Sequence, residues 1–187
     1  SMSFKVLSYA TASGPRAGVL LGNNVLDAQA VSGKAAYRTV LGILDDWVEA
    51  DQLFATLAES GVGGRPLTEI QLLAPILYPG QIWAAGANYQ DHLDEMESSE
   101  YRASNAKLSG GRPWHFSKSS RSAVIGHGTI HPLPPYSQKV DWEIELAVVI
   151  GKTATRVSAQ NALDYVAGYT IANDLSARDF VVRDVES

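Results

Sequence analysis

The run from Val140 to Gly151, VDWEIELAVVIG, constrains this chain more than any other. In an extended strand successive side chains alternate between faces, so Asp141, Glu143 and Glu145 share one face and Trp142, Ile144 and Leu146 the other. Three carboxylates that close raise one another's pKa, and a fold that keeps all three ionised needs water or a cation beside them. A hard divalent metal answers that need. The plain alternative is the wet face of an amphipathic strand, with Trp142, Ile144 and Leu146 packed in the core. The continuation LAVVIG is apolar on both faces, which places the acids where a buried strand emerges and favours a site.

Composition narrows the classes of function. The 187 residues hold 45% hydrophobic and 19% charged side chains, with a formal net charge of -5, which is ordinary for a soluble globular chain. No basic run marks a nucleic-acid or membrane-surface partner. There is no cysteine, so thiolate nucleophiles and cysteine-bearing zinc sites are excluded and any metal is held by oxygen or imidazole. Neither a signal-peptide pattern nor a bilayer-length apolar stretch is present, and the expected compartment is the cytoplasm.

Along the chain, residues 4–8, 17–21 and 24–27 read as short strands separated by Gly14-Pro15 and by a tight hairpin at Gly22-Asn23. From Tyr37 to Ser60 apolar residues recur at helical spacing, as two short helices covering those strands. Residues 67–76 read as an extended link carrying a boundary between a small β-rich N-terminal domain, 1–75, and a second domain, 76–187. Ile82–Ala85 then forms a short strand opening through Gly86-Ala87-Asn88-Tyr89 into a helix, followed by a polar loop over 97–113. Strand signals resume at 114–116, 123–125, 140–150 and 165–172, with Ser158 as an N-cap between the last two. The expected fold is α+β and β-rich, around a mixed or antiparallel sheet.

Further groups carry chemistry. His92 and Glu95 lie three apart on the expected helix, where the carboxylate can orient the imidazole to move a proton, although such a pair alone is more often a solvated helix face. Asp174 ends a strand, where a third oxygen ligand could approach Glu143 and Glu145, although Asn173-Asp174 is also an ordinary turn pair. Lys118 follows a strand and could clamp a carboxylate or an enolate, or simply be solvated. His115, His127 and His131 are read as structural, and Gly126-His127-Gly128 lacks the remaining parts of a dinucleotide fingerprint.

Together GANYQDHLDEM (86–96), WHFSKSSRSAVIGHG (114–128), VDWEIELAVVIGK (140–152) and YVAGYTIANDLSARD (165–179) resemble the fumarylacetoacetate hydrolase family in order and spacing. The resemblance implies a β-roll or barrel-like catalytic fold from a mixed sheet, a homodimer, and a metal-dependent enzyme acting on small keto acids. It implies that Glu143, Glu145 and Asp174 hold Mg²⁺ or Mn²⁺, with Asp141 beside the metal rather than on it. His92 with Glu95 would activate water, and Lys118 would help bind substrate. The reaction expected first is hydrolysis of a C–C bond in an acylpyruvate or fumarylacetoacetate-like acid. Decarboxylation, isomerisation or hydration of a related acid is the alternative, and a non-catalytic binding protein a further one. Gln90 stands where many members carry arginine, which bears on carboxylate recognition. Members run on past the position of Ser187, so the chain is expected to lack the C-terminal portion of its domain.

Overall fold

The computed structural model of the chain describes residues 3–61, 63–86, 88–89 and 115–181. They fall into two compact units, one drawn from 1–77 together with 125–187, the other from 78–124.

In the first unit β1 (Phe4–Thr11), β2 (Gly14–Leu21), β3 (Asn24–Asp27) and β4 (Arg65–Pro66) form an antiparallel sheet in that order. Gly22, at φ 58, makes the β2–β3 turn at the expected place. The first hairpin turns two residues earlier than expected. Ala12 and Ser13 form its loop, held by the Thr11 hydroxyl, which donates to the Gly14 carbonyl at 2.7 Å and accepts from the Ser13 N–H at 3.2 Å. Gly14-Pro15 thus starts β2 instead of breaking the chain, beyond the reach of β3, where the missing proline N–H costs no ladder bond.

One sheet face is covered by helices α1 (Ala28–Ser32), α2 (Val40–Leu44) and α3 (Trp47–Ser60), with a 3₁₀ turn at Ala35–Arg38. Ala50, Phe54 and Ala58 recur every fourth residue and form the buried stripe of α3. Phe54 is fully buried and meets Phe4 and Tyr37 edge-on, with ring centroids 5.6 and 5.9 Å away. Leu7, Tyr9 and Val25 point to the opposite face, where Leu67, Ile70 and Leu72 of the expected link cover them. That link is stitched to β1 by Leu73 N–H to Ser8 O and Ala10 N–H to Gln71 O, both 2.9 Å.

Asp27 ends β3 and caps α1, accepting from the Ala30 N–H at 2.9 Å, from the Tyr9 hydroxyl at 2.8 Å and from Arg16 through Nε and Nη2 at 2.9 and 2.8 Å. Burial opposes its ionisation, yet these donors prevail and hold the carboxyl at about 2, while burial and the bond to Asp27 push Tyr9 up to about 12. A depressed carboxyl pKa stabilises the fold above its unfolded value and loses that contribution as pH falls through the folded value. Asp27→Asn should therefore flatten the acid limb of a stability-against-pH curve between about pH 4 and pH 2, by about 1 kcal/mol after screening. Chemical denaturation across that window measures it.

The rest of this unit is built from β7 (Val140–Asp141), β8 (Ile144–Ile150), β9 (Val166–Asn173) and β10 (Ser176–Ala177). β8 pairs with β9, and β7 with β10, both antiparallel. The expected single strand over 140–150 is broken at Trp142-Glu143, and residues 123–125 are not a strand. Ser158 stands at the N-cap position of a 3₁₀ helix, Ala159–Tyr165, but its side chain makes no capping bond there. Gly126 has no room for a side chain: a Cβ there would lie 2.6 Å from Ala74 N and 2.7 Å from Leu73 C. Because the obstruction is backbone, Gly126→Ala should cost about 1–3 kcal/mol, read from the denaturation midpoint.

The second unit holds an antiparallel pair, β5 (Ile82–Ala85) with β6 (His115–Lys118). All the described elements together make an α+β fold rich in antiparallel strands.

Candidate active site

Glu143 is fixed by its backbone. The Asn173 side chain accepts from its N–H at 3.1 Å, and its carbonyl accepts from the Asp174 N–H at 2.8 Å. These bonds bring the end of β9 beside the break between β7 and β8, so Glu143 and Asp174 are neighbours across two strand ends. Within β8, Glu145 lies opposite Ala172 on the face that is the more covered, while Ile144 faces the other way. Alternation therefore holds as expected, with Asp141, Glu143 and Glu145 all half-buried.

The opposite face differs from the amphipathic-strand alternative. Trp142, Ile144 and Leu146 are 69%, 67% and 59% exposed, as is much of Val148, Tyr169 and Ile171 on the same side. Among the described residues no layer covers that face of the β8–β9 pair, so its apolar side chains do not form a core.

Arg178 begins the short helix α4 (Arg178–Val181) directly after β10, and the β7–β10 register carries it to the acids. It donates to Asp141 Oδ2 through Nε at 3.0 Å and Nη2 at 2.9 Å, and Nη2 lies 3.0 Å from Glu143 Oε1. Its N–H bonds the Lys139 carbonyl at 2.8 Å. Asp179, the next residue, accepts from the Ser137 hydroxyl at 2.6 Å and the Gln138 N–H at 2.8 Å, and those bonds hold its carboxyl below the usual range. Sequence reasoning assigned Arg178 no role. The available signal was its place in LSARD, four residues after Asp174, on the segment that returns alongside the acidic run.

The expected ligands Glu143, Glu145 and Asp174 all offer hard carboxylate oxygens, the donor chemistry that suits Mg²⁺ or Mn²⁺. Among the described residues no group of three or more histidine or acidic side chains stands together as a metal site. Instead Glu143 is paired with Arg178. Lys118 ends β6 opposite Ile82, with Nζ 5.8 Å from the centre of the Phe116 ring. His92 and Glu95 lie outside the described residues. A separate cavity of about 340 Å³, lined by Trp47, Gln52, Lys152, Asp164 and Tyr165 among others, includes none of these groups.

The described elements define an α+β protein that carries Asp141, Glu143 and Asp174 at strand ends with Arg178 beside the first two, and similarity to known proteins identifies the lineage. Residues 81–186 match the family described as fumarylacetoacetate (FAA) hydrolase, C-terminal. The chain belongs to the fumarylacetoacetate hydrolase family. It is 41% identical over 118 residues to the human mitochondrial oxaloacetate tautomerase FAHD2B, a match covering 63% of this chain and 34% of that protein. With the mitochondrial oxaloacetate tautomerase fahd2 of Xenopus laevis it shares 33% identity over 175 residues, covering 90% of this chain and 50% of the other. The chain thus spans between a third and a half of these relatives' length.

Among solved structures, a putative HpcE protein from Mycobacterium smegmatis superposes with a TM-score of 0.74 at 26% identity, over 97% of this chain and 58% of that one. The maleylpyruvate hydrolase of Sphingobium sp. SYK-6, in complex with manganese (II) ion and pyruvate, gives a TM-score of 0.65 at 25% identity, over 92% and 59%. No helix among the described residues is long and apolar enough to cross a membrane.

Proposed function

We propose that this chain is part of a metal-dependent enzyme that acts on small 2-keto acids through their enolates, and that its reaction is keto–enol interconversion of an oxaloacetate-class substrate. The observation that carries this reading is the acidic strand end itself, Glu143 and Glu145 on one face with Asp174 tied beside Glu143. The 41% identity to an oxaloacetate tautomerase supports the choice of reaction. Glu143, Glu145 and Asp174 would hold Mg²⁺ or Mn²⁺, which supplies Lewis-acid polarisation of a 2-keto oxygen.

The chain's own groups do the rest. Interconversion moves one proton from the carbon beside the carbonyl to the carbonyl oxygen, leaving the atom count unchanged, so it needs a proton carrier and a cationic surface for the enolate. His92 with Glu95 is the proposed carrier, because imidazole is the side chain whose ordinary pKa lies nearest neutrality. Lys118 is the proposed partner of a substrate carboxylate. Asp141 keeps Arg178 in place and remains beside the metal position.

Hydrolysis of a C–C bond in an acylpyruvate is the second reading, favoured by the likeness to a maleylpyruvate hydrolase. It would use the same enolate-stabilising groups but ask His92 and Glu95 to deprotonate water instead of substrate carbon. Homodimer formation belongs to both readings and is measured by mass in solution.

The deciding experiment supplies Mn²⁺ or Mg²⁺ and follows oxaloacetate by the ultraviolet absorbance of its enol, with acylpyruvates assayed in parallel for release of pyruvate and acid. Metal-dependent enol decay without pyruvate supports tautomerisation, and pyruvate with an acid supports hydrolysis. No metal-dependent turnover of either substrate refutes the proposal.

A further inference from the structure

Three charged groups meet where β7, β10 and the start of α4 converge, and only one is a cation. Arg178 reaches Asp141 through two nitrogens and Glu143 through one, all within 3.0 Å. The Glu143 side chain is 21% exposed and that of Arg178 31%, so water screens this pair less than a surface ion pair. A guanidinium so placed already supplies part of the positive charge that the acidic motif requires. A dication bound by the same carboxylate would lie within a few ångströms of that guanidinium and be repelled by it.

We propose that Arg178 is an internal counter-cation that competes with a bound divalent cation for Glu143 and so sets how tightly the site holds its metal. The inference rests on the reading that Glu143 belongs to a metal site. Asp141 is the other half of the device. Its two bonds to Arg178 draw the guanidinium toward β7, so Asp141 determines how much of that charge remains for Glu143.

The test is titration of the full chain with Mn²⁺ alone, free Mn²⁺ being read by electron paramagnetic resonance and folding by circular dichroism. Arg178→Met removes the charge while keeping an aliphatic stem, and should tighten Mn²⁺ binding about tenfold. Arg178→Lys keeps the charge but loses the guanidinium fork that ties it to Asp141, and should tighten Mn²⁺ binding less than Arg178→Met does. Asp141→Asn leaves the arginine charge in place, frees it to engage Glu143 fully, and should weaken binding several-fold.

A mainly structural arginine would give the reverse result for Arg178→Met, because a loosened Glu143 binds metal less well. Unchanged or weaker binding in that variant, with the parent still binding Mn²⁺, overturns the competition while leaving the proposed function standing. If Arg178→Met does not fold, Asp141→Asn decides: unchanged or tighter binding refutes the inference. If neither the parent nor Arg178→Met binds Mn²⁺, the metal reading falls and the competition with it.

Discussion

Replacing both Glu143 and Glu145 by alanine should lower metal-dependent turnover by at least about a hundredfold while leaving the chain folded. The expectation has two parts with separate physical causes. Loss of turnover follows if the two carboxylates supply charge to a dication, since their hard oxygens then account for most of its binding. Retention of the fold follows from the surroundings. Arg178 keeps its two bonds to Asp141 and is not left unpaired, and residue 143 keeps its backbone bonds to Asn173 and Asp174. Circular dichroism and turnover measured on one sample separate the two. Full activity in the double variant would remove these acids from the mechanism, whereas global unfolding would show that Arg178 and its partners hold the β7–β10 region together.

The second large effect lies in the N-terminal sheet and its helices. Phe54→Ala should cost about 3–5 kcal/mol, because it deletes a fully buried ring and leaves a cavity between α3 and the sheet. The loss includes two edge-on aromatic contacts, with Phe4 and Tyr37, each worth about 0.5–1.5 kcal/mol beyond area burial. Tyr37 is held back from filling the space, since its hydroxyl is committed to Asp46 at 2.8 Å and Asp46 also accepts from Lys34 at 2.7 Å. Urea denaturation gives the value directly. A loss below about 1 kcal/mol would mean that α3 slides inward and that the packing is more plastic than its burial indicates.

The common face of the acids was legible in the primary structure because strand alternation is a local rule. The shared face of Glu143, just before β8, and Glu145 within it follows from the two-residue period, and the four motifs carried the family. Position within a turn was less legible. Gly14-Pro15 looked like a break, yet the Thr11 hydroxyl closes the loop at Ala12-Ser13 and the glycine and proline become strand. The link over 67–76 looked like a free connector because nothing within it reveals that Ser8 and Ala10 lie alongside.

Local covalent geometry and residue chemistry, which need no knowledge of distant partners, were therefore enough to determine the class of fold, the absence of thiolate from any metal site and the common face of the acids. Tertiary structure alone decided that Arg178, more than thirty residues downstream of Asp141, returns to pair with two of those acids, and that the apolar side of the same strands lies open. Both outcomes come from the antiparallel return of β9 and β10 onto β8 and β7, a pairing between distant segments whose register no single stretch of sequence contains.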